Sequence, residues 1–176
     1  MQIHSANFKA VDLRSPFSLD RRFDLVQSLE VAEHLGESCA DVFVKSLVDH
    51  ADTVLFSAAI PGQGGTNHVN EQWPSYWTEK FSRFGLKSFD VVRPVVWADQ
   101  RVDWWYRQNV LIFSRASVFE ARQACIDIVH PECFEANHQY RTLPFRELVG
   151  GLPVAFKSAI RNRLGSREGR SEEKVS

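Results

Sequence analysis

Cysteine, net charge and long apolar runs are all scarce in this 176-residue sequence, and each absence narrows the class of protein. Three cysteines, Cys39, Cys125 and Cys133, form no C-x-x-C pair, and this odd count indicates reduced thiols. The formal net charge is −1, so no overall field favours nucleic acid or a membrane surface. The longest apolar run, VLFSAAI, is far too short to span a bilayer, and the N-terminus MQIHSANFKAVDL lacks the apolar core of a signal peptide. These absences predict a cytoplasmic protein without a transmembrane segment, for which nucleic acid is not an expected partner.

The residues that are present predict an α/β fold. Hydrophobic residues make up 44% of the chain, which excludes wholesale disorder. One apolar strand pattern ends at Glu30, and three others cover residues 53–60, 88–92 and 109–113. Helical patterns lie between the first and second strands and between the second and third. The first helix is predicted from apolar residues at helical spacing: Ala40, Phe43, Val44, Leu47 and Val48. A second helix should begin near Pro74, and the alternation indicates parallel strands with crossovers.

Two carboxylates and an imidazole follow the strand that ends at Glu30. Glu33 and His34 come three and four positions later, a spacing that places groups on one face of a helical turn. His68 follows the next strand, so its loop should open on the same rim. Oxygen and imidazole ligands of this kind suit a divalent cation. Alternatively, Glu33 lies in the first turn of a helix, where a carboxylate suits the macrodipole, and His34 is an ordinary hydrogen-bonded side chain.

The loop NHVNEQW, residues 67–73, is a second candidate region because it brings amide, imidazole, carboxylate and indole groups together. Histidine as a residue type titrates near neutrality, so His68 could act as a general base. Asn70, Glu71 and Trp73 are then candidate contacts for an acceptor. The alternative is that Asn70 and Glu71 cap the helix that follows. The tryptophans of this half, Trp73, Trp77, Trp104 and Trp105, either wall a pocket or fill a core.

Residues 23–35, FDLVQSLEVAEHL, resemble the fourth-strand segment of class I S-adenosylmethionine-dependent methyltransferases, in which an FD-apolar-apolar strand precedes E-V-x-E-H-L. Residues 7–13, NFKAVDL, resemble the third strand, and residues 53–62, TVLFSAAIPG, resemble the fifth. Residues 84–113 are similar to the closing strand pair, an antiparallel hairpin at the sheet edge. The resemblance covers roughly residues 6–115 and depends on the order and spacing of these pieces.

The resemblance implies a partial Rossmann-like sheet of parallel strands with a terminal antiparallel hairpin, followed by a helical extension. The implied domains are an incomplete methyltransferase-like α/β domain (1–115), a helical extension (116–164) and a disordered tail (165–176). The implied activity is methyl transfer from S-adenosylmethionine to a hydroxyl of a small molecule or glycan, the expected acceptor partner.

The resemblance also implies roles for individual residues. Asp12, at the end of the third-strand segment, would accept a hydrogen bond from adenine, although a turn aspartate explains this residue equally well. Leu13 and Leu29 would also contact the cofactor. The divalent metal would be held by an E-x-x-E-H set and a histidine after the fifth strand, which correspond to Glu30, Glu33, His34 and His68. Either His68 or His34 would be the catalytic base.

The glycine-rich G-x-G-x-G loop and the acidic second-strand residue of the family are missing, and PGQGG at 61–65 lies after the fifth-strand segment. The chain therefore resembles the family from the third strand onward, as a fragment, a truncated gene product or one piece of a split protein. We expect weak binding of S-adenosylmethionine by the chain alone. The strand ending at Glu30 should have an open edge, which favours self-association or an N-terminal partner chain. The alternative function is a non-catalytic methyltransferase-like remnant or split-partner binding module.

Overall fold

Four strands form one mixed sheet in the computed structural model, which describes residues 4, 7–115 and 127–138. The strands are β1 (Val26–Leu29), β2 (Thr53–Ser57), β3 (Lys87–Phe89) and β4 (Leu111–Ser114), in the sheet order β1-β2-β4-β3. β1 and β2 are parallel, whereas β4 runs antiparallel to both β2 and β3. The predicted α/β class, with parallel strands and an antiparallel pair at one edge, is confirmed.

β2 lies in the interior of the sheet and ends earlier than the sequence predicts. Val54 pairs with Val26 on one side and with Phe113 on the other, so both flanks of β2 are hydrogen-bonded. Residues 58–60 remain buried but are not part of the strand. β1 ends at Leu29 and β4 begins at Leu111, so the neighbours offer no ladder partners beyond Ser57.

The described helices are α1 (Ala40–His50), α2 (Pro74–Ser82), α3 (Arg93–Val96), α4 (Trp104–Asn109) and α5 (Pro131–His138). The predicted α1 and α2 are confirmed, and the apolar positions expected to face inward from α1 are buried. Gly85 follows α2 with φ +77°, a conformation that glycine adopts without strain. No helix in the described ranges is long and apolar enough to cross a membrane.

An aromatic cluster forms the centre of the core and connects α2 to the sheet. The ring centroid of Phe56 on β2 lies 5.1 Å from that of Trp77 and 5.3 Å from that of Phe81. Phe81 in turn stacks on Phe113 of β4 at 4.0 Å. Trp77 is therefore a core residue, as the packing alternative for the tryptophans predicted.

The strand predicted over residues 7–13 is wrong: this segment is irregular, and Phe8 is 67% exposed. A strand needs a hydrogen-bonded neighbour, and β1, at the end of the sheet order, has no further strand beside it in the described part of the chain. Leu13 packs against the core instead and lines an apolar cleft of about 240 Å³ beside Val26. Pairing of the outer β1 edge with another chain, or self-association through it, stays a prediction.

The chain divides into two compact units, Met1–Asn137 and His138–Ser176, and the sheet belongs to the first. The predicted helical extension over 116–164 lies largely outside the described residues, apart from the segment that contains α5. The predicted tail, residues 165–176, lies outside them entirely.

Candidate functional site

A polar cleft of about 320 Å³ opens where the parallel strands β1 and β2 end. Its lining combines acids, histidines, glycines and tryptophans: Glu30, Glu33, His34, Gln63, Gly64, Gly65, His68, Trp104 and Trp105. The sequence predicted that Glu30, Glu33, His34 and His68 would converge, and the structure brings all four to this cleft. Carboxyl ends of neighbouring parallel strands are the usual ligand-binding edge of an open α/β sheet.

The chain leaves β1 through a sharp turn at Glu30, which has φ +53°. This left-handed conformation is uncommon for a residue other than glycine. The Glu30 N–H donates to the Ser57 carbonyl at 3.0 Å and to its hydroxyl at 3.1 Å, which anchors the turn to the end of β2. A single 3₁₀ turn, Ala32–His34, follows, whereas α1 begins only at Ala40. Glu33 therefore lies outside α1, so the macrodipole of that helix does not account for a carboxylate at this position.

The loop that carries His68 docks directly on this turn. The backbone N–H groups of Val69 and Asn70 both donate to the Glu33 carbonyl, at 2.9 and 3.0 Å. The His34 ring donates from Nδ1 to the Asn67 carbonyl at 3.3 Å. As a result His68 Nε2 lies 4.0 Å from Glu33 Oε1, and the two imidazole rings meet edge to face with centroids 4.9 Å apart.

The Glu33 carboxyl is buried and receives no hydrogen bond within the described part of the chain. The residue is 0% exposed, and neither carboxyl oxygen has a hydrogen-bond partner among the residues that the structure describes. Burial raises the pKa of Glu33 from 4.5 to about 7; the dipole of its own backbone opposes the rise, and the Glu30 charge adds to it. Buried polar atoms without partners are rare, and each indicates strain, catalysis or an unseen ligand.

Glu33, His34 and His68 have the ligand set of a divalent cation. Each offers one ligand atom, and these atoms lie within 4.8 Å of one another. Around a bound transition metal, ligands at about 2.1 Å lie at most about 4.2 Å apart, so the cluster must contract slightly to close on an ion. The unpartnered Glu33 carboxylate fits this role, because a cation would offset its desolvation.

Glu30 lies in the same cleft but is already hydrogen-bonded. Its carboxylate accepts from Asn109 Nδ2 at 3.2 Å and from Gln63 Nε2 at 3.3 Å. Asn109 Nδ2 also donates to Gln63 Oε1 at 2.9 Å, so the three side chains form one network. Sequence reasoning did not identify Asn109 or Gln63 as site residues. Asn109 is 79 positions from Glu30, and no local pattern reveals such a pairing.

Two of the four tryptophans that were candidates for a pocket wall line the cleft. Trp104 and Trp105, at the start of α4, line it with their rings in an edge-to-face arrangement and centroids 5.6 Å apart. Trp73 directly precedes α2 and is 38% exposed. The lining of the cleft therefore combines carboxylates and imidazoles with two indole rings.

The predicted acceptor contacts Asn70 and Glu71 lie in the His68 loop. Asn70 is buried, and its Oδ1 accepts from Gln72 Nε2 at 3.0 Å. Glu71 accepts from the N–H groups of Gly62 and Gly64, each at 2.8 Å. Neither caps α2: its N-cap residue is Trp73, and the Ser75 N–H in the first turn donates to Asp127 Oδ1 at 2.9 Å, so the capping alternative is wrong. Contact of Asn70, Glu71 and Trp73 with an acceptor stays a prediction.

The predicted cofactor contacts Asp12, Leu13 and Leu29 are not part of the polar cleft lining. Asp12 lies on an exposed turn, where its hydrogen bonds with Arg14 lower its carboxyl pKa to about 2. Leu13 lines the apolar cleft beside β1, and Leu29 is the last residue of that strand. Their cofactor role stays a prediction.

Comparisons with protein-family models, with curated proteins and with solved structures found no match for this chain. The chemistry of the polar cleft therefore carries the functional argument. Its groups can hold a cation, accept a proton and present an aromatic surface to a bound molecule.

Proposed function

We propose that this chain supplies the acceptor side of an S-adenosylmethionine-dependent O-methyltransferase that acts on a hydroxyl of a small molecule or glycan. The observation that carries the proposal is the convergence of Glu33, His34 and His68 at the ends of β1 and β2. The Glu33 carboxyl within this set is fully buried and has no hydrogen-bond partner in the described residues. Such a group is costly unless a ligand completes it.

The sheet also supports the proposal. The strand that the resemblance implies over residues 7–13 is not formed, but the other four strands have the implied arrangement, two parallel strands followed by an antiparallel pair at the sheet edge. The acid-histidine set follows β1, and His68 follows β2, as the resemblance implies.

S-adenosylmethionine supplies an electrophilic methyl group, so the protein has to orient the acceptor and assist the loss of its proton. A divalent cation, when bound, would lower the pKa of the acceptor hydroxyl. Glu33, His34 and His68 would hold that cation, while Glu30 is kept in place by Asn109 and Gln63. Without a cation, an imidazole nitrogen of His68 or His34 would take the proton. Trp104 and Trp105 would restrict the orientation of the acceptor.

Binding of Mn²⁺ to the purified chain tests the proposal, because the electron paramagnetic resonance signal of the free ion falls when it binds. We expect saturable binding that weakens at least tenfold in Glu33→Gln and in His68→Ala. Glu37→Gln is the matched control and should bind as the wild type does, because Glu37 is an exposed acid three residues after His34. Equal binding by all four proteins would contradict the proposed site and favour the non-catalytic binding module.

Calorimetry with S-adenosylmethionine tests the donor side separately. The sequence contains no strand followed by G-x-G-x-G, the element that holds the donor in the resembled family. We therefore expect affinity weaker than micromolar for this chain, and micromolar binding would contradict the proposal that it supplies only the acceptor side.

A further inference from the structure

The glycine segment at residues 61–65 has a structural purpose that its sequence does not reveal. Gly62 and Gly64 have φ values of +81° and +72°, which L-residues rarely adopt. In this conformation both N–H groups point at one carboxylate: Gly62 donates to Glu71 Oε2 and Gly64 donates to Glu71 Oε1, each at 2.8 Å. The segment thus forms a small concave anion site, and its anion is the Glu71 side chain.

Glu71 in turn faces His68. Its Oε1 lies 3.0 Å from His68 Nδ1. An ionised carboxylate can only accept hydrogen bonds, so the proton of this pair must be on Nδ1. His68 Nε2 then keeps its lone pair, and this nitrogen is the one that lies 4.0 Å from Glu33 Oε1.

Gly65 provides the space for the His68 ring. A Cβ atom at this position would lie 2.3 Å from Cε1, 2.4 Å from Nε2 and 2.8 Å from Nδ1 of the imidazole. Side-chain carbons never approach ring atoms this closely, so any other residue would displace the ring. The three glycines therefore act on one histidine, two through Glu71 and one by direct contact.

We infer that Glu71 and the glycines at 62, 64 and 65 set the tautomer and orientation of His68, so that its Nε2 lone pair faces the Glu33 carboxyl. Glu71 is thus a positioning residue, since its carboxylate oxygens are engaged by Gly62, Gly64 and His68. That Nε2 binds a divalent cation rests on the proposed function. A carboxylate behind a metal-binding imidazole fixes the ring and raises its basicity, and its loss weakens metal binding about 10- to 100-fold.

The tautomer of neutral His68 tests the inference directly, through long-range ¹H–¹⁵N correlation spectra assigned with His68→Asn. Wild-type His68 should show the proton on Nδ1. In Glu71→Gln, a single amide oxygen cannot accept from Gly62, Gly64 and the imidazole, while the new amide NH₂ can donate to Nδ1. We therefore expect the proton to move to Nε2. The matched control is Glu79→Gln, an exposed acid on α2, which should leave the tautomer unchanged.

A Glu71→Gln protein with the proton still on Nδ1 would overturn the inference, whatever the metal result. Gly65→Ala is the second variant if Glu71→Gln does not fold: it keeps the carboxylate and displaces the ring, so it should populate both tautomers. A Gly65→Ala protein with the wild-type tautomer would also overturn the inference. Mn²⁺ titration separates the two proposals. A wild-type chain without Mn²⁺ affinity contradicts the proposed function, whereas the positioning of His68 is decided by the tautomer measurement alone.

Discussion

The aromatic core beneath β2 and the polar cleft at its carboxyl end are adjacent, yet they satisfy their side chains in different ways. The ring centroid of Phe56 lies within 5.9 Å of three other aromatic centroids, and apolar burial and ring packing stabilise this cluster. In the cleft, Glu30 has two amide donors, whereas Glu33 has no hydrogen-bond partner among the described residues. The core therefore contributes to stability, whereas the cleft retains a desolvation cost that a ligand could remove.

Truncation of the core should have the largest effect. Phe56→Ala removes a buried ring from the cluster and should lower the free energy of unfolding by about 3–5 kcal/mol in urea titrations. Phe8→Ala is the matched control, because Phe8 is 67% exposed and its loss should change stability by less than about 0.5 kcal/mol. Equal effects of the two substitutions would contradict the assignment of Phe56 to the core.

Removal of the Glu33 charge should have the next largest effect, and in the opposite direction. The pKa of Glu33 is raised from 4.5 to about 7, which corresponds to about 3 kcal/mol. The folded protein holds this proton more tightly than the unfolded chain, so wild-type stability falls as the pH rises from 4.5 to about 7 and stays lowered above it. Glu33→Gln lacks this fall.

Thermal and urea unfolding in the presence of a chelator measure how the free energy of unfolding of the wild type and of Glu33→Gln depends on pH. The stability of Glu33→Gln relative to the wild type should rise by up to about 3 kcal/mol between pH 4.5 and pH 8. In Glu37→Gln the same comparison should stay flat, because Glu37 is exposed. A difference for Glu33→Gln that does not change with pH would contradict the uncompensated burial of this carboxyl.

The network around Glu30 should give the smallest effect of the three. Asn109→Ala removes the amide that reaches both Glu30 and Gln63, and it should lower the free energy of unfolding by about 1–2 kcal/mol. Gln100→Ala, at an exposed position, should change it by less than about 0.5 kcal/mol. A neutral Asn109→Ala would show that water replaces the amide, and that Glu30 is less enclosed than its contacts indicate.

The sequence predicted the helices and the strand whose buried faces appear as a local apolar pattern. The predicted helices α1 and α2 are confirmed, and the strand predicted over residues 53–60 is confirmed over Thr53–Ser57, because each encodes a buried face within a few residues. The strand over residues 7–13 failed for the opposite reason, since a strand also needs a neighbour that the segment itself does not encode. The same holds for the residues of the cleft. Their spacing in the sequence indicated Glu33, His34 and His68. Asn109 was not indicated, because its partners Gln63 and Glu30 lie 46 and 79 positions away.

The alternation of strands and helices and the kinds of groups that follow β1 and β2 follow from the sequence alone, since apolar periodicity and residue type are local properties. How these groups are used depends on the tertiary structure. The Glu33 carboxyl has no hydrogen-bond partner in the described residues, Glu30 accepts from two amides, and Glu71 accepts from His68. Hydrogen bonding and desolvation depend on which atoms meet in space, and those atoms come from separate loops and from α4.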